Sequence, residues 1–140
     1  MMRLLITAVI VFGVTTPSHA DFKNALDAYK RGDHKIAYQN FLPLAKKGDA
    51  RSRLMLGVMH GEGKGMKRDD FMAHVWFILA SKSARRGRLH KLAEKYRRVF
   101  AEDLTVPEMI EAGRVSRQWS MKWRREFYGA WRKKIGRPGL

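Results

Sequence analysis

The chain has 140 residues, with 29 Lys and Arg against 13 Asp and Glu, no Cys, and 45% hydrophobic residues. Its length, 11% aromatic content and 4 Pro suit one small folded domain and argue against both a multidomain enzyme and wholesale disorder. The lack of Cys removes thiol catalysis and disulfide support, and the mean hydropathy of −0.43 fits a chain with a core and a charged surface.

The first twenty residues read as an export leader. Met1, Met2 and Arg3 make a short positive start, Leu4 to Val14 is an apolar run of 11 residues, and Ser18-His19-Ala20 supplies small residues for cleavage after Ala20. The run is well short of the roughly 20 residues that a spanning helix needs. The sequence therefore predicts a leader over 1–20 and a mature chain of 120 residues with 28 Lys and Arg against 13 acids, a net charge of +15. Export to a bacterial periplasm or cell envelope is the expected location.

From Asp21 onward the apolar spacing is helical and the breaks fall at glycine. Phe22, Ala25, Leu26 and Tyr29 share one helix face, and the stretch ends at Gly32-Asp33. Ala37, Phe41, Leu44 and Ala45 predict a second helix ending at Gly48-Asp49, and Leu54, Leu56, Val58 and Met59 a third over Ala50 to His60. Gly61-Glu62-Gly63-Lys64-Gly65 is expected to be a loop, since alternate glycines favour neither helix nor strand. Asp69 or Asp70 can cap a fourth helix carrying Met72, Val75, Trp76, Leu79, Ala80 and Ser83. Leu89, Leu92, Ala93, Tyr96, Val99 and Phe100 mark a fifth, after Gly87. Thr105-Val106-Pro107-Glu108 reads as a capping box opening a sixth that extends toward Ile135.

An internal period runs through these elements. Asp33, Ala37 and Phe41 recur as Asp69, Ala73 and Phe77, each displaced by 36 residues, which points to a repeated helix pair. Gly57 inside a helix costs about 1 kcal/mol relative to Ala, so its presence implies a neighbouring helix at close approach, and Ala37 and Ala73 serve the same end. Trp76 and Phe77 are expected to hold the core.

Leu56-Gly57, Gly63-x-Gly65-Met66, Asp69, Ala73, Trp76 and Ala80 follow one another in the order of the Sel-one-like repeat family, relatives of the tetratricopeptide repeat. Ala28 to Asp33 and Pro43 to Ala50, with Gly32 and Gly48, resemble that family's first helix pair, and Leu104-Thr105 through Trp119 its terminal helix. His60 in place of the usual Tyr, Ser81 in place of Ala, and the longer turn at Lys82 to Arg86 depart from the pattern. The resemblance covers residues 21–119 and leaves 120–140 as a basic aromatic extension. It implies an all-α fold, a short right-handed α-solenoid of about three antiparallel helix pairs, and a role in protein–protein interaction rather than catalysis, without a cofactor or metal.

Searching for chemistry yields little that competes with this. His19, His34, His60, His74 and His90 never fall at i, i+4, no Gly-x-Ser-x-Gly or His-Glu-x-x-His motif occurs, and the Gly61 to Gly65 run is followed by no Lys-Ser/Thr pair. The tail is the unusual feature. Trp119, Trp123, Phe127 and Trp131 recur every fourth residue, with Lys122, Arg124, Arg125, Arg132 and Lys133 beside or opposite them and Glu126 as the single acid after Arg114. Such a helix either covers the apolar end of a repeat stack or lies on an anionic surface. A second basic segment holds Lys82, Arg85, Arg86, Arg88, Lys91, Lys95, Arg97 and Arg98. Arg85, Arg86, Arg88, Lys122, Trp123, Arg124, Arg125, Trp131, Arg132 and Lys133 are the expected contacts to an anionic partner. That partner is expected to be a protein, or alternatively anionic lipid or envelope polysaccharide; export makes nucleic acid secondary.

Overall fold

The computed structural model describes residues 19–134, so residues 1–18 of the expected leader and the segment from Ile135 onward lie outside the described residues. Six α-helices and no strand occur within them: α1 His19–Lys30, α2 His34–Lys46, α3 Ala50–Glu62, α4 Asp70–Ala84, α5 Arg88–Val99 and α6 Val106–Lys134. The chain is all-α, as its periodicity implies. Among the described residues no helix is long and apolar enough to cross a membrane.

The Gly-Asp breaks have a common hydrogen-bonding basis. At the end of α1 the Gly32 N–H donates to the Tyr29 carbonyl at 3.1 Å and the Asp33 N–H to the Ala28 carbonyl at 3.0 Å. At the end of α2 the Gly48 N–H reaches the Ala45 carbonyl and the Asp49 N–H the Leu44 carbonyl, both at 3.1 Å. This paired closure satisfies the last free carbonyls of a helix and needs a left-handed residue, which glycine supplies at φ 87° and 102°. The aspartate that follows takes the N-cap position of the next helix. The Asp49 carboxylate accepts from the Ser52 N–H at 2.9 Å and the Ser52 hydroxyl at 2.6 Å, whereas Asp33 makes no side-chain cap bond and pairs with Arg31 at 3.2 Å. Asp69 caps α4 by accepting from the Met72 N–H at 2.8 Å. At the start of α6 the Glu108 carboxylate accepts from the Thr105 N–H at 2.8 Å while the Glu108 N–H reaches back to the Thr105 hydroxyl, a reciprocal capping box.

One expected boundary is corrected. Gly61 and Glu62 belong to α3 rather than to a loop, and the chain leaves the helix only at Gly63, where φ is 66°. The reason is tertiary. Gly61 is buried, and a Cβ there would run into the Phe100 ring, just as a Cβ on Gly57 would sit 2.5 Å from the Phe77 ring. The two glycines lie one turn apart and make room on α3 for two rings that pack on each other with centroids 5.5 Å apart. Gly65 in the following turn sits against the start of α2, where a Cβ would come 3.0 Å from His34.

Successive helices pack on one another from α1 to α5, and α6 returns along α4. The residues displaced by 36 occupy matching places: Asp33 and Asp69 precede α2 and α4, and Ala37, Ala73, Phe41 and Phe77 are all fully buried. α4 is buried nearly all round, with Ala73, His74, Val75, Trp76, Phe77, Leu79, Ala80 and Ser81 inside. Its adjacent rings serve two sides. Phe77 stacks on Tyr96 of α5 at 5.5 Å, and Trp76 packs with Leu56, Met59 and Phe41 in the larger cluster. Trp76 also meets Trp119 edge-on at 5.4 Å and stacks on Trp123 at 5.7 Å. The first two aromatic residues of the tail stripe therefore fasten α6 to α4.

Candidate anion-binding cleft

α6 continues past that aromatic anchorage. Residues 117, 120, 121, 124, 127 and 128 recur at the spacing of one helix face, and the face they form looks across a cleft at the C-terminal ends of α2 and α4. The cavity measures about 660 Å³. Its cations come from four helices and their ends: Lys46 and Lys47 from α2, Arg53 from α3, Lys82 and Arg85 from α4, Arg117 and Arg124 from α6. Among the described residues no Asp or Glu lines it. Met121, Trp123, Phe127 and Tyr128 complete the α6 wall.

Arg53 anchors the floor. It is 7% exposed, and its Nε donates to the Ala45 carbonyl at 2.8 Å while Nη1 donates to the Leu79 carbonyl at 3.3 Å and to the Ser83 hydroxyl. The guanidinium thereby ties the last turns of α2 and α4 together, and it lies 5.6 Å from the centre of the Trp123 ring. Burial lowers its pKa to about 10, below the ordinary arginine range, with Asp49 acting in the opposite direction, so it stays charged at neutral pH. Asp49 is itself engaged by Ser52 and by the Arg51 Nε at 3.3 Å.

Helix C-termini at α2 and α4 each carry about half a negative charge, so part of the role of Lys46, Lys47, Lys82 and Arg85 is to complement those dipoles. That does not exhaust the charge. Seven cations set against two such ends leave the cleft at about +6. Arg85 adds a backbone observation: it is the single non-glycine residue with positive φ among the described residues, at φ 55° and ψ −59°, where a side chain is strained.

The expected anionic contacts divide into groups. Arg85, Arg124 and Trp123 line the cleft, although Trp123 is mostly buried against Trp76 and offers only part of its ring. Arg86 is exposed in the α4–α5 turn and Arg88 at the first position of α5, and Lys122, Arg125 and Lys133 are exposed elsewhere on α6. The side chains of Trp131 and Arg132 lie outside the described residues. Sequence reading missed Lys46, Lys47, Arg53 and Arg117. Arg53 carried a signal, standing between Ser52 and Leu54 in a helix segment whose other residues are core-forming.

Away from the cleft, the His74 Nδ1–H donates to the Arg97 carbonyl at 3.1 Å, and His60 is packed edge-on to Tyr38 with neither ring nitrogen hydrogen-bonded. Burial holds both imidazoles below the usual histidine range. Among the described residues no three His, Asp or Glu side chains converge as a metal site. Comparison with family models, with curated proteins and with solved structures gives no match to this chain.

Proposed function

We propose that this chain is a non-catalytic binding module of the bacterial cell envelope, exported by its leader, that receives the anionic group of a partner in the basic cleft. The observation that carries the reading is the convergence of seven cations and an aromatic wall, with no lining carboxylate among the described residues, on one cavity of about 660 Å³. A cavity of that size accommodates a small ligand or a projecting group, and its charge draws anions over about a Debye length, near 8 Å at physiological salt.

The framework that holds the cleft is, in this proposal, a short right-handed solenoid of Sel-one-like helix pairs. The 36-residue displacement of cap, small and aromatic positions supports it, as do the matching Gly-Asp junctions. Such a framework makes a protein partner presenting an acidic segment the first candidate. A second reading, contact with anionic lipid or polysaccharide through the C-terminal helix, is supported by α6 beyond Trp123, where residues 124–130 are all exposed.

The test is capture from envelope extract by the full chain and by its Lys82→Glu/Arg117→Glu variant, with stepwise salt elution. Retention of one component by the parent protein, released by salt and absent from the variant, is the expected result. Equal retention by both proteins would overturn the assignment to the cleft.

A further inference from the structure

Building on the second, anionic-lipid reading, we infer that the group the cleft receives is the phosphate monoester of a lipid headgroup at a membrane surface, with the rim of α6 resting on the headgroup layer. Two features of the cleft select phosphate. Four of its seven cations are arginines: Arg53 is buried and donates to Ala45, Leu79 and Ser83, while Arg85, Arg117 and Arg124, at the end of α4 and on α6, are exposed toward a ligand. A carboxylate has two oxygens and is satisfied by one guanidinium fork, whereas a phosphate monoester offers three terminal oxygens and accepts from several forks at once. A residual charge of about +6 is also more than a single carboxylate balances, and a monoester carrying close to two negative charges matches it better.

The rim selects the lipid surface over a free phosphate. Met121, Phe127 and Tyr128 lie on the same wall as Arg117 and Arg124 and are 56%, 53% and 54% exposed. Large apolar side chains grouped in water beside a cationic cleft add nothing to the recognition of a small soluble anion. At a bilayer they enter the boundary between headgroups and acyl chains, while the cations one turn away meet the phosphates. α6 is built to reach that surface: Trp119 and Trp123 fix it to α4, and each of its next residues, 124 to 130, is exposed. Arg85 is held in the same cleft at a backbone cost that glycine would not incur.

Vesicle flotation with the full chain tests the proposal, using phosphatidylcholine vesicles doped with phosphatidate, a monoester, or with phosphatidylglycerol, a diester, at matched surface charge. We expect at least tenfold tighter binding to phosphatidate. Arg117→Gln/Arg124→Gln is expected to weaken it about thirtyfold, since each cation near an anionic surface contributes about fivefold. Lys91→Gln/Lys95→Gln makes the same charge change on exposed α5 positions outside the cleft and should largely preserve the phosphatidate preference. Arg85→Gly should weaken binding without lowering the melting temperature, which separates a binding role from a folding one. Equal binding to the two lipids would overturn the monoester assignment, and loss of the preference in the α5 variant would overturn the assignment to the cleft. Binding of soluble tripolyphosphate with no vesicle binding would overturn the lipid source. Stronger binding to polyglutamate through the same residues would transfer the site to an acidic protein. No binding to any of these anions would overturn the anionic-partner reading itself.

Discussion

Replacing Gly57 by alanine separates a packed helix pair from an independent helix. In an exposed helix the change is favourable by about 1 kcal/mol, because glycine gives up more backbone freedom than alanine. Here the new Cβ would lie 2.5, 2.7 and 2.9 Å from three carbons of the Phe77 ring. That ring is fully buried and backed by Tyr96 and Phe100, each with its centroid 5.5 Å away and the two 6.4 Å from each other. It cannot withdraw by the ångström or so that a normal contact needs without moving α5. Overpacking of this kind costs about 3 kcal/mol at the upper end of its range, so the net loss is about 2 kcal/mol. For a domain of this size that lowers the melting temperature by about 8 °C. The assay is urea and thermal unfolding of Gly57→Ala, Phe77→Leu and the double variant. Removing the ring should relieve most of the alanine's cost, giving a coupling energy of about 2 kcal/mol. Gly113→Ala supplies the internal comparison, since its Cβ would meet only Arg117 at 3.7 Å and should stabilise by about 1 kcal/mol. If Gly57→Ala behaves like Gly113→Ala and the coupling is near zero, the close approach of α3 and α4 is refuted.

Three further outcomes follow from the same geometry. His60 and His74 are held below the usual histidine range by burial, so as the pH falls through about 6.5 the unfolded chain takes up protons that the folded chain refuses. Urea midpoints should therefore decline between pH 7.5 and 5.5, and His74→Gln should flatten that decline. A second comparison sets Asp49→Ala against Asp33→Ala: the first removes a cap that accepts two hydrogen bonds and should cost about 1 kcal/mol, the second only an exposed pair and at most about 0.5 kcal/mol. Trp123→Ala removes the ring stacked on Trp76 and should cost about 3 kcal/mol, measured by chemical unfolding.

The helix order was legible because its punctuation is local. A Gly-Asp pair encodes both the end of one helix and the cap of the next, and Thr105 to Glu108 encodes a capping box within four residues. Gly61 was misread because glycine marks either a turn or a close packing point, and only the position of Phe100, 39 residues away, decides between them. The tail stripe was legible as a stripe. Where it leaves the body was not, since Trp119 and Trp123 find Trp76 through the return of α6 along α4. The cleft was half legible for the same reason. Arg85 and Arg124 stand in visibly basic segments, while Lys46 and Lys47 looked like an ordinary helix end. Their meeting with Arg53 and Arg117 depends on which helix ends the fold brings together.

The central claim is that this one cleft is where an anionic partner binds, and backbone amide NMR of the full chain titrated with tripolyphosphate tests it most directly. The account predicts saturable shifts confined to Lys46 to Gly48, Arg53, Lys82 to Arg85 and the α6 face from Arg117 to Tyr128, fading as salt is raised. Shifts spread evenly over the other basic residues, Lys91, Lys95 and Arg98 among them, or no shifts at all, would contradict it.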